Sequence, residues 1–259
     1  MRLVRLYVVL MVLALCLTPV LAQEGVSKYL HLYEVRVDSS KARAYEAYIK
    51  KIVEAAQKVD APQKWMTFRG GSGTAAGTYF IAIPSTSWAD MDGWKLVPQI
   101  LGEAFGEAEA ASILESGLQA MSSAEFKTDT WQLMPDYSTH FDASRYISNM
   151  YQIIRTEVKP EMAATYRSLL QRASKVAAGI ETGPMTIRRF STTGASFRFM
   201  AGTPFNKFAE LDEMNSFWES MREQMGELAA EEFYRTLRAS IVKREIFILM
   251  LSRDLSNLP

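Results

Sequence analysis

Residues 29–37 (YLHLYEVRV) alternate apolar and polar positions with the two-residue rhythm of a strand. Ser39-Ser40 follow, and then a stripe of Tyr45, Tyr48, Ile49, Ile52, Val53 and Ala56 at helical spacing. Strands are predicted at 64–69 (KWMTFR) and 78–83 (TYFIAI), joined by a glycine-rich turn. A long helical region covers 87–122, and a strand at 126–134 (FKTDTWQLM) closes the set. The second half replays this order. A strand at 150–158 (MYQIIRTEV) leads into a helix from Pro160, which carries Tyr166, Leu169, Leu170, Ala173, Val176 and Ala177. Strands at 185–190 and 196–201, a helical region at 207–240 and a strand at 242–251 complete it.

The residues align as well as the pattern does. With a shift of 121, Val37 falls on Val158, Ala42 on Ala163 and Tyr45 on Tyr166. With a shift of 120, Pro84 falls on Pro204, Ala89 on Ala209 and Asp92 on Asp212. With a shift of 116, Leu133-Met134 falls on Leu249-Met250. A duplication is therefore expected, with a first repeat at 23–134, a linker at 135–146 and a second repeat at 147–259. The order β-α-β-β-α-β is the ferredoxin-like split βαβ motif. One such unit packs two helices on one sheet face and leaves the other bare, so two units can cover each other. The expected fold class is α+β: two tandem ferredoxin-like units packed as an intramolecular dimeric α/β barrel. In these features the chain resembles the dimeric α/β-barrel superfamily. Tyr33-Glu34-Val35-Arg36 in the first strand looks like the Tyr-Glu-Leu-Arg start of NIPSNAP-like members. The resemblance implies a fold rather than a reaction, because that superfamily holds cofactor-free monooxygenases, haem enzymes, degradative isomerases and proteins with no known reaction.

The first 22 residues follow a different logic. Arg2 and Arg5 precede an uncharged apolar run from Leu6 to Leu17, and Thr18-Pro19-Val20-Leu21-Ala22 breaks it. This is the layout of a secretory signal peptide, with cleavage expected between Ala22 and Gln23; an uncleaved anchor is the competing reading. Export to the periplasm or the medium is the expectation. The single cysteine, Cys16, lies inside this segment, so the remainder carries no disulfide. Lys and Arg number 29, as do Asp and Glu, and no basic run stands out, which argues against a nucleic-acid partner. After residue 22 no apolar stretch is long enough to span a membrane.

Most candidate chemistry has a simpler explanation. Gly70-Gly71-Ser72-Gly73-Thr74-Ala75-Ala76-Gly77 joins two strands, whereas a dinucleotide loop joins a strand to a helix, so it reads as a hairpin turn. Asp136, His140 and Asp142 read as a polar linker rather than a metal site. His31, in phase with Tyr33, reads as a hydrogen-bonded histidine near the core. No histidine occurs from Tyr146 onward, so the haem of chlorite dismutase-type relatives would need another axial ligand, and no cofactor or metal is expected. Asp90 and Asp92, matched by Glu210 and Asp212, fit helix first turns. The tryptophans 65, 88, 94, 131 and 218 fit core packing.

The strands offer one constellation. Glu34 and Arg36 share the face opposite Tyr33, Val35 and Val37; Arg155 and Glu157 hold the matching face of the later strand with the charges swapped. Arg188 and Arg198 are expected on that same face, opposite one another across a Thr192-Thr193-Gly194 turn, with Glu157 in reach of Arg198. That face either meets solvent or lines a barrel interior, where charges must be paired or must meet a ligand. The last strand, apolar at Ile246, Phe247, Ile248 and Leu249, favours burial on both sides. The expectation is a protein that binds a small molecule between its repeats through Glu34, Arg36, Arg155, Glu157, Arg188 and Arg198. An oxygenase- or isomerase-like enzyme without cofactor and a structural protein without ligand are the alternatives.

Overall fold

A computed structural model describes residues 27–140, 147–181, 183–193 and 197–258, apart from the side chains at 215 and 216. The signal segment and Asp142 lie outside these residues. Eight strands form one closed antiparallel barrel: β1 (Tyr29–Arg36), β2 (Met66–Gly70), β3 (Thr78–Ser85), β4 (Glu125–Leu133), β5 (Met150–Val158), β6 (Ile187–Ser191), β7 (Phe197–Phe205) and β8 (Ile241–Leu251). The first four lie in the order β4-β1-β3-β2 and the last four in the order β8-β5-β7-β6. Two short junctions close the ring: β2 on β8, from Phe68–Leu251 to Gly70–Leu249, and β4 on β6, from Trp131–Ser191 to Leu133–Arg189.

Among the described residues six α-helices cover the outside: α1 (Ala42–Lys58), α2 (Val97–Phe105) and α3 (Glu107–Ala120) over the first four strands, and α4 (Ala163–Ala178), α5 (Glu210–Met225) and α6 (Glu227–Ser240) over the last four. The two long helical regions of the sequence are each broken by a glycine. Gly106 and Gly226 combine left-handed φ values of 84° and 78° with extended ψ, and a residue with a Cβ is disfavoured there. The entry to each region is capped alike. Asp90 accepts hydrogen bonds from the backbone N–H groups of Thr86 and Ser87 and from both their hydroxyls. These bonds, the Ser87 hydroxyl first, hold its carboxyl down at about 2. Glu210 takes the same place against the N–H groups of Asn206 and Lys207. These acids therefore serve the helices, as their first-turn positions predict.

The glycine-rich turn does more than reverse the chain. It runs beside β8, with Gly71 N donating to Ile248 O at 2.8 Å and Ile248 N to Ser72 O at 2.9 Å. A Cβ on Gly73 would lie 2.3 Å from Ile246 O, so backbone meets backbone there.

Three expectations need correction. Pairing sets Tyr33 opposite Thr128 and Ile154 opposite Ile246, so the closing strands of the two halves match at a shift of 118, not 116. Arg188 pairs with Ala201, not with Arg198, and points outward toward the helices. The reason is a contact with β4. The end of β6 leaves β7 to follow β4, where Ser191 Oγ donates to Asp129 at 2.6 Å and Thr192 N donates to Thr130 O at 2.8 Å. The predicted Ser191–Ala195 pair lies outside the described residues, while Ser191 pairs with Trp131 on the β4 side. β6 is thus inverted: Ile187 and Arg189 face the barrel interior, while Arg188 and Phe190 face outward. Finally, β8 buries only its inner face, where Phe247 and Leu249 sit; Ile246 on the outside is 50% exposed.

Each half ends in a short 3-10 turn that docks on the other half. Arg253–Leu255 packs against α1 and β2, and Pro135–Tyr137 packs against α4 and β6. Bridges from Asn257 to Trp65 and from Thr139 to Thr186 fix the two tails in place.

Candidate functional site: a hollow under the helices of the second half

The barrel interior divides into an apolar middle and a charged mouth. The middle is filled by Leu32, Met66, Phe68, Phe80, Tyr151, Ile153, Met200, Phe247 and Leu249, which leave about 60 Å3. The mouth is a cleft of about 240 Å3 lined by charges of both signs. Here the sequence reading of β1 and β5 meets the structure directly. Arg155 Nη1 donates to Glu34 Oε2 at 2.7 Å, and Lys127 lies 3.4 Å from the other oxygen. Burial alone would raise the Glu34 carboxyl; the Arg155 hydrogen bond and charge, with Lys127, outweigh it and hold the group below the usual carboxylate range. Arg198 pairs with Asp129 at 2.9 Å. Glu157 lines the cleft and faces Arg198 in the strand pairing. Arg36 lies 3.8 Å from Glu125, at the exposed rim. Five of the six expected residues therefore gather at this end, where Arg155 pairs with Glu34 while Arg198 and Arg36 take Asp129 and Glu125, and Arg188 is elsewhere.

His31 is buried outside the barrel wall. Its ring nitrogens are hydrogen-bonded to Thr130 Oγ1 at 3.1 Å and Ser85 Oγ at 2.9 Å, between Trp88 and Trp94. Burial lowers its pKa and keeps it neutral. His140 sits in the linker with Nε2 at 2.9 Å from Ala177 O. Among the described residues no cluster of three metal-ligating side chains occurs, and no helix is long and apolar enough to cross a membrane.

The larger space lies between the outer face of the second half's sheet and helices α4, α5 and α6. It is a cavity of about 420 Å3. Its origin can be read from positions that hold the same place in the two halves. Thr67 pairs with Ile81 in the first half and Arg188 with Ala201 in the second, so these positions correspond. Under the helices of the first half the layer is filled: Ile52, Trp65, Ile81 and Ile83 join one continuous core. The corresponding residues of the second half are Ala173, Thr186, Ala201 and Thr203, all smaller, and all four line the cavity. The missing side-chain volume is the hollow. Phe217, Met221, Phe233 and Leu237 supply most of its apolar wall.

Two further exchanges place polar groups in this layer. Val53 corresponds to Ser174 and Thr67 to Arg188, with α1 and α4 starting at matching positions. Arg188 Nη1 donates to Ser174 Oγ at 2.8 Å and to Tyr137 O. Burial pushes the Arg188 guanidinium down to about 10. Tyr166 adds a phenol whose pKa burial raises.

The donor set does not fit haem. Neither histidine nor cysteine lines the cavity, and the phenol of Tyr166, held protonated by burial, is a poor substitute for an axial ligand.

No protein-family profile matches the sequence, and no curated relative matches it. Solved structures do. A candidate monooxygenase from Fusobacterium nucleatum is 9% identical over 87% of this chain and 93% of its own, with a TM-score of 0.51. A mutant chlorite dismutase from Candidatus Nitrospira defluvii is 9% identical over 88% and 93%, with a TM-score of 0.52. A second mutant of that enzyme, in complex with cyanide, is 12% identical over 88% and 92%, with a TM-score of 0.50. At such identities the likeness speaks for architecture alone, and that architecture is a closed antiparallel barrel covered by helices.

Proposed function

We propose that the chain is a duplicated pair of ferredoxin-like units, of which the second is hollowed to bind a small, mainly apolar molecule and to act on it as an oxygenase-like enzyme. The common strand order, the paired glycine breaks at Gly106 and Gly226 and the reciprocal tails support the duplication. The Tyr33–Arg36 stretch supports a NIPSNAP-like member, and the basic and apolar N-terminus supports export with cleavage after Ala22. The single observation that carries the binding reading is the 420 Å3 cavity, placed where the first half has Trp65, Ile81 and Ile83. Its size and mixed lining suit a ligand pocket. The barrel centre is a weaker candidate, because side chains fill it. The reaction class is taken from the candidate monooxygenase that shares the fold.

Native mass spectrometry of protein purified from its own host tests this. A co-purifying small molecule is expected, and that molecule should support oxygen uptake when added back to the stripped protein. A bare protein mass, together with no uptake from an extract of the host's small molecules, would contradict the reading.

A further inference from the structure

The charges around the cavity are all of one sign. Arg188, Arg189, Arg238 and Arg244 line it, and among the described residues no Asp or Glu does. The four are not equivalent. Arg189 turns to the carbonyls of Ser27 and Lys28, at 3.1 and 3.5 Å. Arg238 and Arg244 lie at the exposed rim. Arg188 and Arg189 are both buried, with 8% and 2% of their surface exposed, but Arg189 faces the barrel interior whereas Arg188 points toward the helices. Among the described residues the side-chain hydrogen bonds of Arg188, to Ser174 Oγ and Tyr137 O, both leave from Nη1, so Nε and Nη2 remain for a ligand in the cavity that Arg188 lines. Among the described residues no carboxylate pairs with it.

A structural role does not account for a cation here. In the first half the corresponding task, holding the docked tail, falls to a hydroxyl: Thr67 Oγ1 donates to Leu255 O at 2.6 Å. A neutral group is enough for that contact. Placing a guanidinium in the same position instead takes a charge largely out of bulk water, which is unfavourable unless hydrogen bonds or an anion offset it. The fork of Nε and Nη2 matches a planar two-oxygen group. The aromatic wall opposite, with Phe217, Trp218 and Phe233, matches an apolar body.

We propose that the cavity of the second half takes a small organic anion, an apolar body carrying one carboxylate-class group that binds Nε and Nη2 of Arg188. This rests on the ligand-binding reading above and adds the charge of the ligand. The test uses the neutral dye phenylnaphthylamine as reporter, displaced by octanoate or by octanol. On the unaltered protein octanoate is expected to bind roughly ten-fold or more tightly than octanol, as a charge-assisted bidentate contact requires. Arg188→Met should retain the dye and lose the preference, and Arg188→Lys should keep part of it. Equal affinity for the two competitors on the unaltered protein, or an unchanged preference in Arg188→Met, would overturn the anion. The comparison on the unaltered chain needs no variant to fold. Absence of dye binding to the unaltered protein is a different result: it removes the cavity reading itself, and the anion with it.

Discussion

Deleting residues 252–259 is expected to destabilise the first half more than any single substitution in it. The tail is built into that half's core. Leu255 is fully buried, and its carbonyl accepts from Thr67 Oγ1 at 2.6 Å and from Trp65 Nε1 at 3.2 Å. Ser256 Oγ accepts from Thr67 N at 2.9 Å, Asn257 Nδ2 donates to Gln63 O at 3.0 Å, and Asn257 O accepts from Trp65 N at 3.0 Å. Leu255→Ala alone should cost about 2–5 kcal/mol, the range for truncating a buried leucine. Deletion adds the buried donors of Thr67 and Trp65, each left unsatisfied at about 1–3 kcal/mol. The sum approaches the ~5–15 kcal/mol by which a folded domain is stable. Urea unfolding followed by tryptophan fluorescence should show loss of the cooperative transition in the truncated chain. A midpoint close to that of the full chain would mean that the tail merely rests on the surface.

The second large effect is expected from the ion pair at the barrel mouth. Glu34 and Arg155 come from the first and second halves, at corresponding places in β1 and β5, and meet across the barrel at 2.7 Å. The Arg155 guanidinium also lies over Phe80 and Phe247, 5.4 and 5.0 Å from their centroids. Removing one partner of a buried pair costs about 3–5 kcal/mol. Water in the cleft reduces this, because the two side chains keep 18% and 20% of their surface, and about 1–3 kcal/mol is expected for Glu34→Gln. Glu34→Leu combined with Arg155→Met should lie near the unaltered protein, since neither charge is then stranded. The pH dependence has a definite sign. The carboxyl of Glu34 is depressed in the folded state, so its contribution is present above the ordinary glutamate pKa and is lost as pH falls through the depressed value. Glu34→Gln should lose that part of the acid-side decline. A double-mutant cycle with no coupling between the two sites would show that the contact is incidental.

Much of the architecture is legible in the chain because the two halves say the same thing twice. The alternation at 29–37 and 150–158 returns as β1 and β5, and the charges swapped between them, Glu34 and Arg36 against Arg155 and Glu157, face the barrel mouth. The phase of β6 is not legible. MTIRRF has no clean alternation, and its direction is decided by β4, whose Asp129 and Thr130 capture Ser191 and Thr192. That is a contact between distant parts of the chain, and no local pattern announces it. The same inversion hides Arg188, which reads as a barrel residue until the register is known. The hollow left a trace that pattern-matching for conserved-looking positions passes over. It lies in the differences between the halves: Ile52 against Ala173, Trp65 against Thr186, Ile81 against Ala201, Ile83 against Thr203. Large residues in one half replaced by small ones at the corresponding positions of the other mark where the space lies.

That space can be closed by restoring the first half's residues. Ala201→Ile with Thr203→Ile places the side chains of Ile81 and Ile83 at their corresponding positions in the second half. Filling an apolar gap gains about 0.8 kcal/mol for each buried methylene, so a rise in stability of up to ~2 kcal/mol is expected. The decisive measurement is phenylnaphthylamine binding by fluorescence to the unaltered protein and to this double variant. The cavity account predicts saturable binding at one site per chain, abolished in the filled and more stable variant. Equal binding to both proteins, or a filled variant that unfolds more easily with its dye affinity unchanged, would place the ligand elsewhere and contradict it.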